Sequence, residues 1–572
     1  MGDILFLALR RLRTPLITLI LVYAISVGGL VLMPGLDEHG QPASLGFFHA
    51  FYVISYTATT IGFGELPGSF TDAQRAWVTL SIYLSVTGWA YAVGSIFALV
   101  QEPVFRNAVA RSTFAARVRR LEEPFCVIAG YGQSGTALAH ALDEIGIRSV
   151  ILESRPERAA RPDVEIYRDP PCCLAADARW PDLLIDAGVR HPRCRALIVL
   201  VSDDEAAQAI AIGAAALNPA LPILARVHST LAAGNLEGFA NITAIDPFAT
   251  FATNLELALA APAVLWVEEW LTSVPESVCP IPPQIPRGHW LILGYGRFGR
   301  SVARALELTG STWTAVDANP ALPDEDNLQH SDNSVESLAS AGIERAVGIV
   351  ACTDRDAMNL ALVTRARKLK PGLHVIIRQN HVAERSLIEA ARANLCFVKS
   401  ELMVRECLQL LVAPLLNRFL MQVRAHGVKL AEQIAVRLLT ELEERVPYIW
   451  VFECDDRQPG LRDVLRGHTE APLQLGELMI SPLDPTRPLA AVPLFLLRTG
   501  DDGEREYMLP STGMPLQNGD RILFAGREGV ERLQGHFNLD PSPLEYVRSG
   551  VEPARSWIFR KLAARRRAQA AR

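Results

Sequence analysis

Phe125-Cys-Val-Ile-Ala-Gly-Tyr-Gly-Gln-Ser-Gly135 is the stretch that decides the fold of most of this chain of 572 residues. A short apolar run leads into three glycines with the spacing GxGxxG, which predicts a strand, a tight turn and a helix. A second apolar run ends at Glu153, about 20 residues beyond the first glycine. The stretch therefore predicts an α/β fold of the dinucleotide-binding type.

The same unit occurs a second time along the chain. His289-Trp-Leu-Ile-Leu-Gly-Tyr-Gly-Arg-Phe-Gly299 repeats the strand and the glycines, and its second strand ends at Asp317. Further parallels pair residues 176–179 with 331–334, 196–201 with 347–352, and 222–227 with 374–378. Both units have the order βαβαβαβαβ, which predicts a parallel sheet with helices on both faces. Helical segments are expected at 247–272 and 400–444.

The glycines and acids have separate roles in a nucleotide site. The first glycine makes the turn, the second lets the backbone approach a diphosphate, and the third lets the helix pack on the strand. A carboxylate at Glu153 or Asp317 would accept ribose hydroxyls, which favours NAD or ADP/ATP over NADP, although Arg155 weighs the other way. An alternative is that the glycines are kept for packing alone. The candidate cofactor-binding residues are Gly130, Tyr131, Gly132, Gln133, Ser134, Gly135, Glu153, Arg155, Asp177, Ala178 and Ser202 in the first unit, and Gly294, Tyr295, Gly296, Arg297, Phe298, Gly299, Asp317, Asp332, Asn333 and Thr353 in the second.

Two stretches near the start are candidates for membrane spans. Residues 16–33 and 77–100 carry no charged side chain, and a spanning helix needs about 20 mostly apolar residues. A signal peptide is the alternative for the first stretch, but its apolar core would be only about 7–15 residues long. The flanking positive residues predict cytoplasmic termini in a multi-pass protein of the cell (inner) membrane; they are Arg10, Arg11, Arg13, Arg106, Arg111, Arg117, Arg119 and Arg120. The net charge of −6 gives no reason to expect nucleic acid as a partner.

The segment between the spans predicts a pore. Residues 45–60 are apolar and aromatic but too short to cross a bilayer, which predicts a re-entrant helix. Thr60-Ile61-Gly62-Phe63-Gly64 and then Glu65 follow. Backbone carbonyls can replace the water around a cation if successive ones point the same way, and glycine tolerates the dihedral angles this requires. An ordinary outer loop that contains glycine is the alternative.

This unit of span, helix, filter and span, at residues 15–102, resembles the potassium channel superfamily, whose filter is usually written TVGYG. The resemblance implies that Thr60, Ile61, Gly62 and Phe63 coordinate K⁺ and that four chains surround one axis. Phe63 replaces the usual Tyr and Glu65 the usual Asp, and both departures bear on filter rigidity and conductance. In the second span, Gly88 and Gly94 are candidate hinges of an inner gate. Close packing of small residues is an equal alternative for these two glycines.

The two α/β units resemble tandem RCK domains, the regulators of potassium conductance, with TrkA-N and TrkA-C parts. The order of domains is similar to that of prokaryotic two-span channels gated by several ligands. It implies a homotetramer in a lipid bilayer, an octameric gating ring, and NAD or ADP/ATP as regulatory ligand. Calcium-gated relatives carry carboxylates after the fourth and fifth strands. Here Asp203, Asp204 and Glu205 follow the fourth strand, but residues 225–228 contain no carboxylate, so acids at a strand end are preferred over a Ca²⁺ site.

The resulting fold class is an α-helical two-span pore module followed by two Rossmann-like RCK domains and a small α+β C-terminal lobe. The expected boundaries are 1–104 for the pore domain (spans at 15–34 and 77–101, pore helix at 45–60, filter at 60–64), 105–123 for a linker, 124–275 for the first RCK domain, 276–287 for a linker, 288–441 for the second RCK domain and its helices, 442–540 for the lobe and 541–572 for a basic tail.

Two other functions fit parts of the sequence. A membrane-tethered NAD-dependent oxidoreductase would need an acid or base placed beside the nicotinamide, but the chain offers a second Rossmann unit and no evident catalytic constellation. A regulatory subunit of a potassium transporter would tolerate Gly62→Ala, whereas a pore would lose its flux. We therefore predict a potassium channel and no enzyme.

Overall fold

The computed structural model describes residues 2–36, 41–64, 69–273, 275–279, 281, 284–323, 325–332, 334–468, 471–500 and 503–551. The chain divides into two compact units. The first consists of Met1–Pro124, Val150–Glu165 and Pro171–Arg193, and the second of Phe125–Ser149, Ile166–Pro170 and Cys194–Arg572. Three predictions fall on residues outside the described ones: Glu65, Asn333 and residues 552–572 of the predicted basic tail.

The N-terminal module is helical. Its elements are α1 (Gly2–Leu32), β1 (Pro34–Leu36), β2 (Pro42–Ser44), α2 (Phe47–Ala58), α3 (Asp72–Gln101) and α4 (Pro103–Val118). Two helical stretches, Leu9–Leu32 and Asp72–Gln101, are long and apolar enough to cross a membrane. A capping box between Thr71 and Gln74 starts α3, because these side chains satisfy N–H groups that the first turn leaves unpaired.

The short helix α2 packs against both long helices. Val27 and Leu30 of α1 form a buried cluster with Val53 and Ile54 of α2. The indole Nε1 of Trp77 on α3 donates to the Ser26 carbonyl at 3.0 Å. Helix α2 lies inside the predicted segment 45–60, and a helix, α4, occupies most of the predicted linker at 105–123.

The first Rossmann domain contains β3 (Phe125–Ala129), α5 (Gln133–Glu144), β4 (Arg148–Glu153), α6 (Pro156–Ala159), β5 (Cys172–Ala175), α7 (Pro181–Asp186), β6 (Cys194–Val199), α8 (Asp204–Leu217), β7 (Ile223–Arg226), α9 (Thr230–Leu236) and β8 (Ile242–Ile245). The strand order is β5-β4-β3-β6-β7-β8. The pairs β3–β6, β6–β7 and β7–β8 are parallel, as is the pair β4–β5.

The second Rossmann domain repeats this topology. Helices α10 (Pro247–Ala260) and α11 (Pro262–Thr272) lead to β9 (His289–Leu293), α12 (Arg297–Leu308), β10 (Thr312–Asp317), β11 (Leu328–His330), α13 (Val335–Ser340), β12 (Ala346–Ala351), α14 (Asp356–Leu369), β13 (His374–Gln379), α15 (Arg385–Ala390) and β14 (Leu395–Val398). The order is β11-β10-β9-β12-β13-β14 with parallel neighbours. The parallel sheets confirm the predicted fold class, and each has a sixth strand, β8 or β14, that the sequence did not predict.

The central strand β9 shows why its sequence is apolar throughout. Trp290 and Ile292 face one buried cluster, which includes α10 and α12. Leu291 and Leu293 face the other, which includes α14. Side chains alternate between the faces of a strand, so a sheet covered by helices on both faces needs an unbroken apolar run.

Helices and a small sheet complete the second unit. They are α16 (Lys399–Val412), α17 (Pro414–His426), α18 (Val428–Leu442), β15 (Tyr448–Glu453), α19 (Arg462–Leu465), β16 (Ile480–Ser481), β17 (Asp484–Pro488), β18 (Ala491–Gly500), β19 (Gly503–Met508), β20 (Arg521–Gly526), α20 (Val530–Leu539) and α21 (Ser542–Ser549). The antiparallel order β15-β20-β18-β19 gives the expected α+β lobe. The predicted helical segments are divided at Ala261, Ala413 and Gly427. The lobe also continues past residue 540, because Leu544 of α21 lies in its core.

Candidate functional site

The segment proposed as a filter alternates in backbone conformation. The angle φ is +61° at Thr60, +60° at Gly62 and +72° at Gly64, and it is not positive at Ile61 or Phe63 between them. A cage of carbonyl ligands requires successive carbonyl groups on the same side, and the predicted filter rests on this alternation. A positive φ costs a residue with a Cβ roughly 1–2 kcal/mol, so Thr60 holds a conformation that its side chain disfavours.

The end of α2 holds this segment in place. The N–H groups of Ile61 and Gly62 both donate to the Tyr56 carbonyl, at 3.0 and 3.2 Å. Phe63 is 67% exposed, and its ring meets Tyr56 edge to face with the centroids 6.3 Å apart. The filter segment is therefore attached through Tyr56, by its carbonyl group and by its ring.

The two glycines of α3 have different surroundings. A Cβ built on Gly88 would lie 3.4 Å from a methyl group of Val22 on α1, whereas one built on Gly94 would meet no atom within 4 Å. Helix α3 continues through both positions. Both distances leave room for a Cβ, so Gly88 and Gly94 stay predicted hinges, with close packing of small residues as the alternative.

The first turn places two of its predicted glycines under clear backbone or steric constraints, and Gly132 is the N-cap of α5. Gly130 has φ +101°, and a Cβ on Gly135 would lie 2.2 Å from the Gly130 carbonyl oxygen. Tyr131 is buried, its hydroxyl hydrogen-bonds that of Tyr167, and Gln133 contacts His381 of the second domain, with 3.1 Å between Nε2 and Nδ1. Ser134 is buried at the start of α5, and Ser202 is exposed after β6.

The acids predicted for the first nucleotide site lie in the first compact unit, and each accepts hydrogen bonds from a nearby group. The Glu153 carboxylate is buried at the end of β4 and accepts the Arg155 N–H at 2.9 Å. Asp177 pairs with Arg179, at 2.6 Å between Oδ2 and Nη2, and this pair lowers the pKa of the Asp177 carboxyl. Ala178 beside it is buried.

The second turn contains one glycine that the fold itself does not require. Gly294 has φ +104°, and a Cβ on Gly299 would lie 2.2 Å from the Gly294 carbonyl oxygen. Gly296, in contrast, has φ −75° and ψ −166°, and a Cβ there would meet nothing within 4 Å. The open volume at Gly296 adjoins the first turn of α12, where free N–H groups attract anions.

The remaining residues predicted for the second site make local hydrogen bonds. Asp317 accepts the N–H of Tyr295 at 2.6 Å and that of Asn319 at 2.8 Å. Asp332 accepts the Ser334 N–H, which lowers the pKa of its carboxyl, and Thr353 donates its hydroxyl to Asn359. Phe298 is buried under the turn. Any ribose bonded to Asp317 would share the carboxylate with the turn that it already supports.

The sequence did not single out three basic residues that lie near Arg297. They are Arg226 at the end of β7, Arg378 near the end of β13 and Lys399 at the start of α16. With Arg297 they form what we call the basic cluster. A signal was present, because Arg226 and Arg378 occupy equivalent positions in the aligned repeats 222–227 and 374–378.

The acids after β6 are engaged in capping and turn contacts. Asp203 accepts the Ala206 N–H at 2.9 Å as the N-cap of α8. Asp204 accepts the backbone N–H groups of His228 and Ser229 at about 3 Å. Glu205 lies in the first turn of α8, where negative charge is favoured. Among the described residues, no group of three or more His, Cys, Asp or Glu could hold a metal ion. Helix capping thus engages Asp203, and contacts to the turn after β7 engage Asp204.

Comparisons with known proteins bear on the two repeats. Residues 126–245 and 290–398 match the TrkA-N domain. "Potassium channel protein 1" of Methanocaldococcus jannaschii is 29% identical over 186 residues, which cover 32% of this chain and 53% of the relative. "Probable potassium channel protein 2" of the same organism is 26% identical over 117 residues, which cover 19% of this chain and 34% of the relative. The matches thus span about half of the first relative and a third of the second.

Solved structures of GsuK are similar over larger parts of the chain. The GsuK channel bound to NAD has 14% identity and a TM-score of 0.44 over 94% of this chain and 99% of that one. The ADP-bound GsuK structure has 17% identity and a TM-score of 0.41 over 71% and 99%. The two segments that match the TrkA-N domain are thus the two parts of the chain that form the six-stranded parallel sheets.

Proposed function

We propose that the chain is a subunit of a potassium-selective channel of the cell (inner) membrane, gated by NAD or by ADP/ATP at its TrkA-N domains. The alternating dihedral angles of Thr60–Gly64, fixed to the end of α2, carry this proposal. In this proposal, K⁺ is coordinated by the backbone carbonyl groups of Thr60, Ile61, Gly62 and Phe63. Both relatives from Methanocaldococcus jannaschii bear the name of potassium channel proteins, which supports the same activity.

A homotetramer follows from the demands of the filter and of the long helices. One chain supplies only one side of a carbonyl cage, and four copies close it. Apolar side chains on α1 and α3 are largely exposed in the single chain, among them Ile20, Leu32, Tyr83 and Phe97. Large exposed apolar faces require lipid or another protein surface, and a tetramer in a bilayer provides both. Eight TrkA-N domains would then form one cytoplasmic ring.

The nucleotide part of the proposal rests on Gly296. Gly296 is the N-cap of α12, a position that glycine favours over alanine. No neighbour would touch a Cβ there, and this free volume would let a diphosphate approach the backbone. When bound, a nucleotide supplies negative charge and contacts that differ between ring conformations. The first turn of α12 would hold the phosphates through its N–H groups, and Asp317 would orient a ribose.

The first unit contains a physical connection between the second long helix, α3, and the first Rossmann domain. Helix α4 follows α3 with only Glu102 between them, and Glu102 pairs with Arg11 of α1 at 2.8 Å. Farther along α4, Arg111 pairs with Asp186 of α7 at 2.5 Å. A ligand shifts a gate only when it binds the open and closed states unequally. Such a difference would displace α7 and, with it, α4 and the end of α3.

Flux through liposomes tests the pore. Gly62→Ala places a side chain at φ +60° in the filter and should abolish K⁺ flux. Gly46→Ala is the matched control, because Gly46 lies just before α2 with φ −62° and only an ordinary contact at 3.6 Å. K⁺ flux at the wild-type level in both variants would exclude a pore at this segment and favour a transporter subunit. Turnover of NADH by the purified protein would favour an oxidoreductase.

The same liposomes test gating. NAD, ADP and ATP are added on the side of the TrkA-N domains, and flux is compared with and without each one. We expect at least one of these nucleotides to change the flux of wild type. Flux that is unaffected by all three would remove the gating part of the proposal and leave the pore intact.

A further inference from the structure

Three cations surround one buried phenyl ring in the second unit. Phe248, near the start of α10, is 3% exposed. The Arg297 and Arg378 Cζ atoms lie 5.8 and 5.4 Å from its ring centroid, and the Lys399 Nζ lies 5.6 Å from it. Cation–π attraction favours each contact. A ring cannot neutralise three positive charges, so the group keeps a strong local excess of positive charge.

The fourth member of the cluster is a buried arginine whose hydrogen bonding is incomplete. Arg226 is 7% exposed. Its Nη2 donates to the Val201 carbonyl at 2.7 Å, but its Nε has no partner. A buried donor without a partner is costly, and burial lowers the pKa of Arg226 to about 10. The Nε–H group of Arg226 is therefore free to donate a hydrogen bond to a ligand.

The nearby acids are occupied elsewhere. Asp204 accepts from Nδ1 of His228 at 2.9 Å as well as from the backbone N–H of the same residue. Asp246 caps α10 by accepting the Phe248 N–H at 2.9 Å. Among the described residues, no member of the basic cluster has a carboxylate within 4.0 Å. Asp204, Asp246, Asp354 and Asp356 attract members of the cluster from farther away, but none of these carboxylates forms an ion pair with it.

His228 does not add to the charge. Its Nδ1 faces the Asp204 carboxylate and its Nε2 lies 3.1 Å from the Lys399 ammonium. These partners assign the proton to Nδ1 and leave Nε2 to accept from Lys399. Burial, opposed by the hydrogen bond to Asp204, lowers the pKa of His228 to about 4, so the ring is neutral at neutral pH. It positions Lys399 and leaves two of its ammonium hydrogens for a ligand.

We propose that the basic cluster binds an anion of phosphate type with at least two negative charges, shared between the two Rossmann domains. Arg226 comes from the first domain, and the other three members come from the second. Arginine forks match the geometry of phosphate oxygens. The first turn of α12, where Arg297 lies, presents N–H groups to the same anion.

The shared phosphate chemistry has two sources, a free diphosphate or the terminal phosphate of an adenine nucleotide in the second turn. A nucleotide as the source of the phosphate rests on the proposed function. The binding of a phosphate by the basic cluster does not depend on that function. A phosphate bound to the basic cluster would connect the two Rossmann domains, because it would contact Arg226 of the first and the other three residues of the second. A bound phosphate would therefore stabilise the pair of domains against separation.

The experiment measures binding by the full chain in detergent. Diphosphate, ADP and adenosine are titrated by calorimetry, and thermal unfolding is followed with and without each. Lys399→Met and Arg378→Met remove one charge each. Lys368→Met, on the exposed face of α14, is the matched control. We expect each cluster variant to weaken binding of diphosphate or ADP about tenfold or more, and the control to bind as wild type does.

The ligand-free protein provides an independent readout. Because the cluster is repulsive when empty, Lys399→Met and Arg378→Met should raise the ligand-free unfolding temperature, whereas loss of a merely structural contact would lower it. Diphosphate binding that is lost in the variants identifies a free anion. ADP binding that is lost, with adenosine unaffected, identifies a nucleotide phosphate. Equal binding of diphosphate and ADP by wild type and both variants, or no binding of either by wild type, would overturn the inference.

Discussion

Gly296→Ala is the sharpest single test of ligand binding at the second turn. The substitution adds one methyl group where φ is −75° and no atom lies within 4 Å. Two effects on folding oppose each other. Fewer unfolded conformations favour alanine by about 0.4–1 kcal/mol, while alanine is a poorer N-cap than glycine by a similar amount. The free energy of unfolding should therefore change by less than about 1 kcal/mol.

Binding should respond very differently from stability. The methyl group would occupy the volume in which the backbone approaches a diphosphate, and the expected loss of NAD or ADP affinity at this site is about tenfold or more. Calorimetry on the full chain would record this as loss of the second-site heat, and thermal unfolding would show an almost unchanged ligand-free midpoint.

Gly299→Ala is the matched contrast three residues along. Its Cβ would lie 2.2 Å from the Gly294 carbonyl oxygen and 3.3 Å from Ile292, so this variant should lose about 1–3 kcal/mol of stability through overpacking. If Gly296→Ala keeps full affinity and stoichiometry, or if it destabilises as much as Gly299→Ala, then the open volume has no connection with a ligand and the reasoning fails.

Two further perturbations follow from charged groups in the second unit. Arg424→Ala leaves the Glu268 carboxylate, 6% exposed, without its bidentate partner at 2.5 and 2.8 Å, and should cost about 2–3 kcal/mol of stability because Arg424 itself is partly exposed; a double replacement of Arg424 and Glu268 by Met should recover part of the loss, and thermal unfolding decides. Burial, reinforced by the other members of the basic cluster and opposed by Asp246, lowers the pKa of Lys399 from 10.5 to about 8. Above pH 8 the folded chain holds fewer protons here than the unfolded chain, so this residue's contribution to ligand-free stability rises between pH 8 and 10.5, while diphosphate affinity falls. Comparison with Lys399→Met cancels the titration of diphosphate itself, and an identical pH slope in the two proteins would contradict this assignment.

The sequence predicted the Rossmann repeats because their glycines have steric causes that recur. Gly135 and Gly299 both lie where a Cβ would come within 2.2 Å of a carbonyl oxygen, so the same spacing appears twice. The sixth strands were missed for an equally physical reason. Ile242–Ile245 and Leu395–Val398 are four residues long, and such short apolar runs cannot be told from the start of the helices that follow.

The basic cluster could not be predicted from local patterns. His228 and Lys399 meet at 3.1 Å although they are 171 positions apart. A lone Arg226 at a strand end resembles any surface residue until the fold buries it. The repeat aligned Arg226 with Arg378 but did not indicate that the two strands end near one phenyl ring. Contacts between the two domains arise from tertiary packing. The hydrophobic periodicity of the sequence does not reveal such contacts.

The connection between α3 and the first Rossmann domain depends on geometry more than on the strength of its ion pairs. The Arg11–Glu102 pair is largely exposed, and such pairs contribute about 0–1 kcal/mol, too little to hold a gate alone. Glu102, however, has φ −66° and ψ 123° and precedes a proline, a position where the helical conformation is disfavoured. Glu102 is thus the single non-helical residue between α3 and α4. Helix α4 packs on β5 and α7 through a buried face that includes Phe114 and Val118. A movement of that surface would reach α3 through α4 and Glu102.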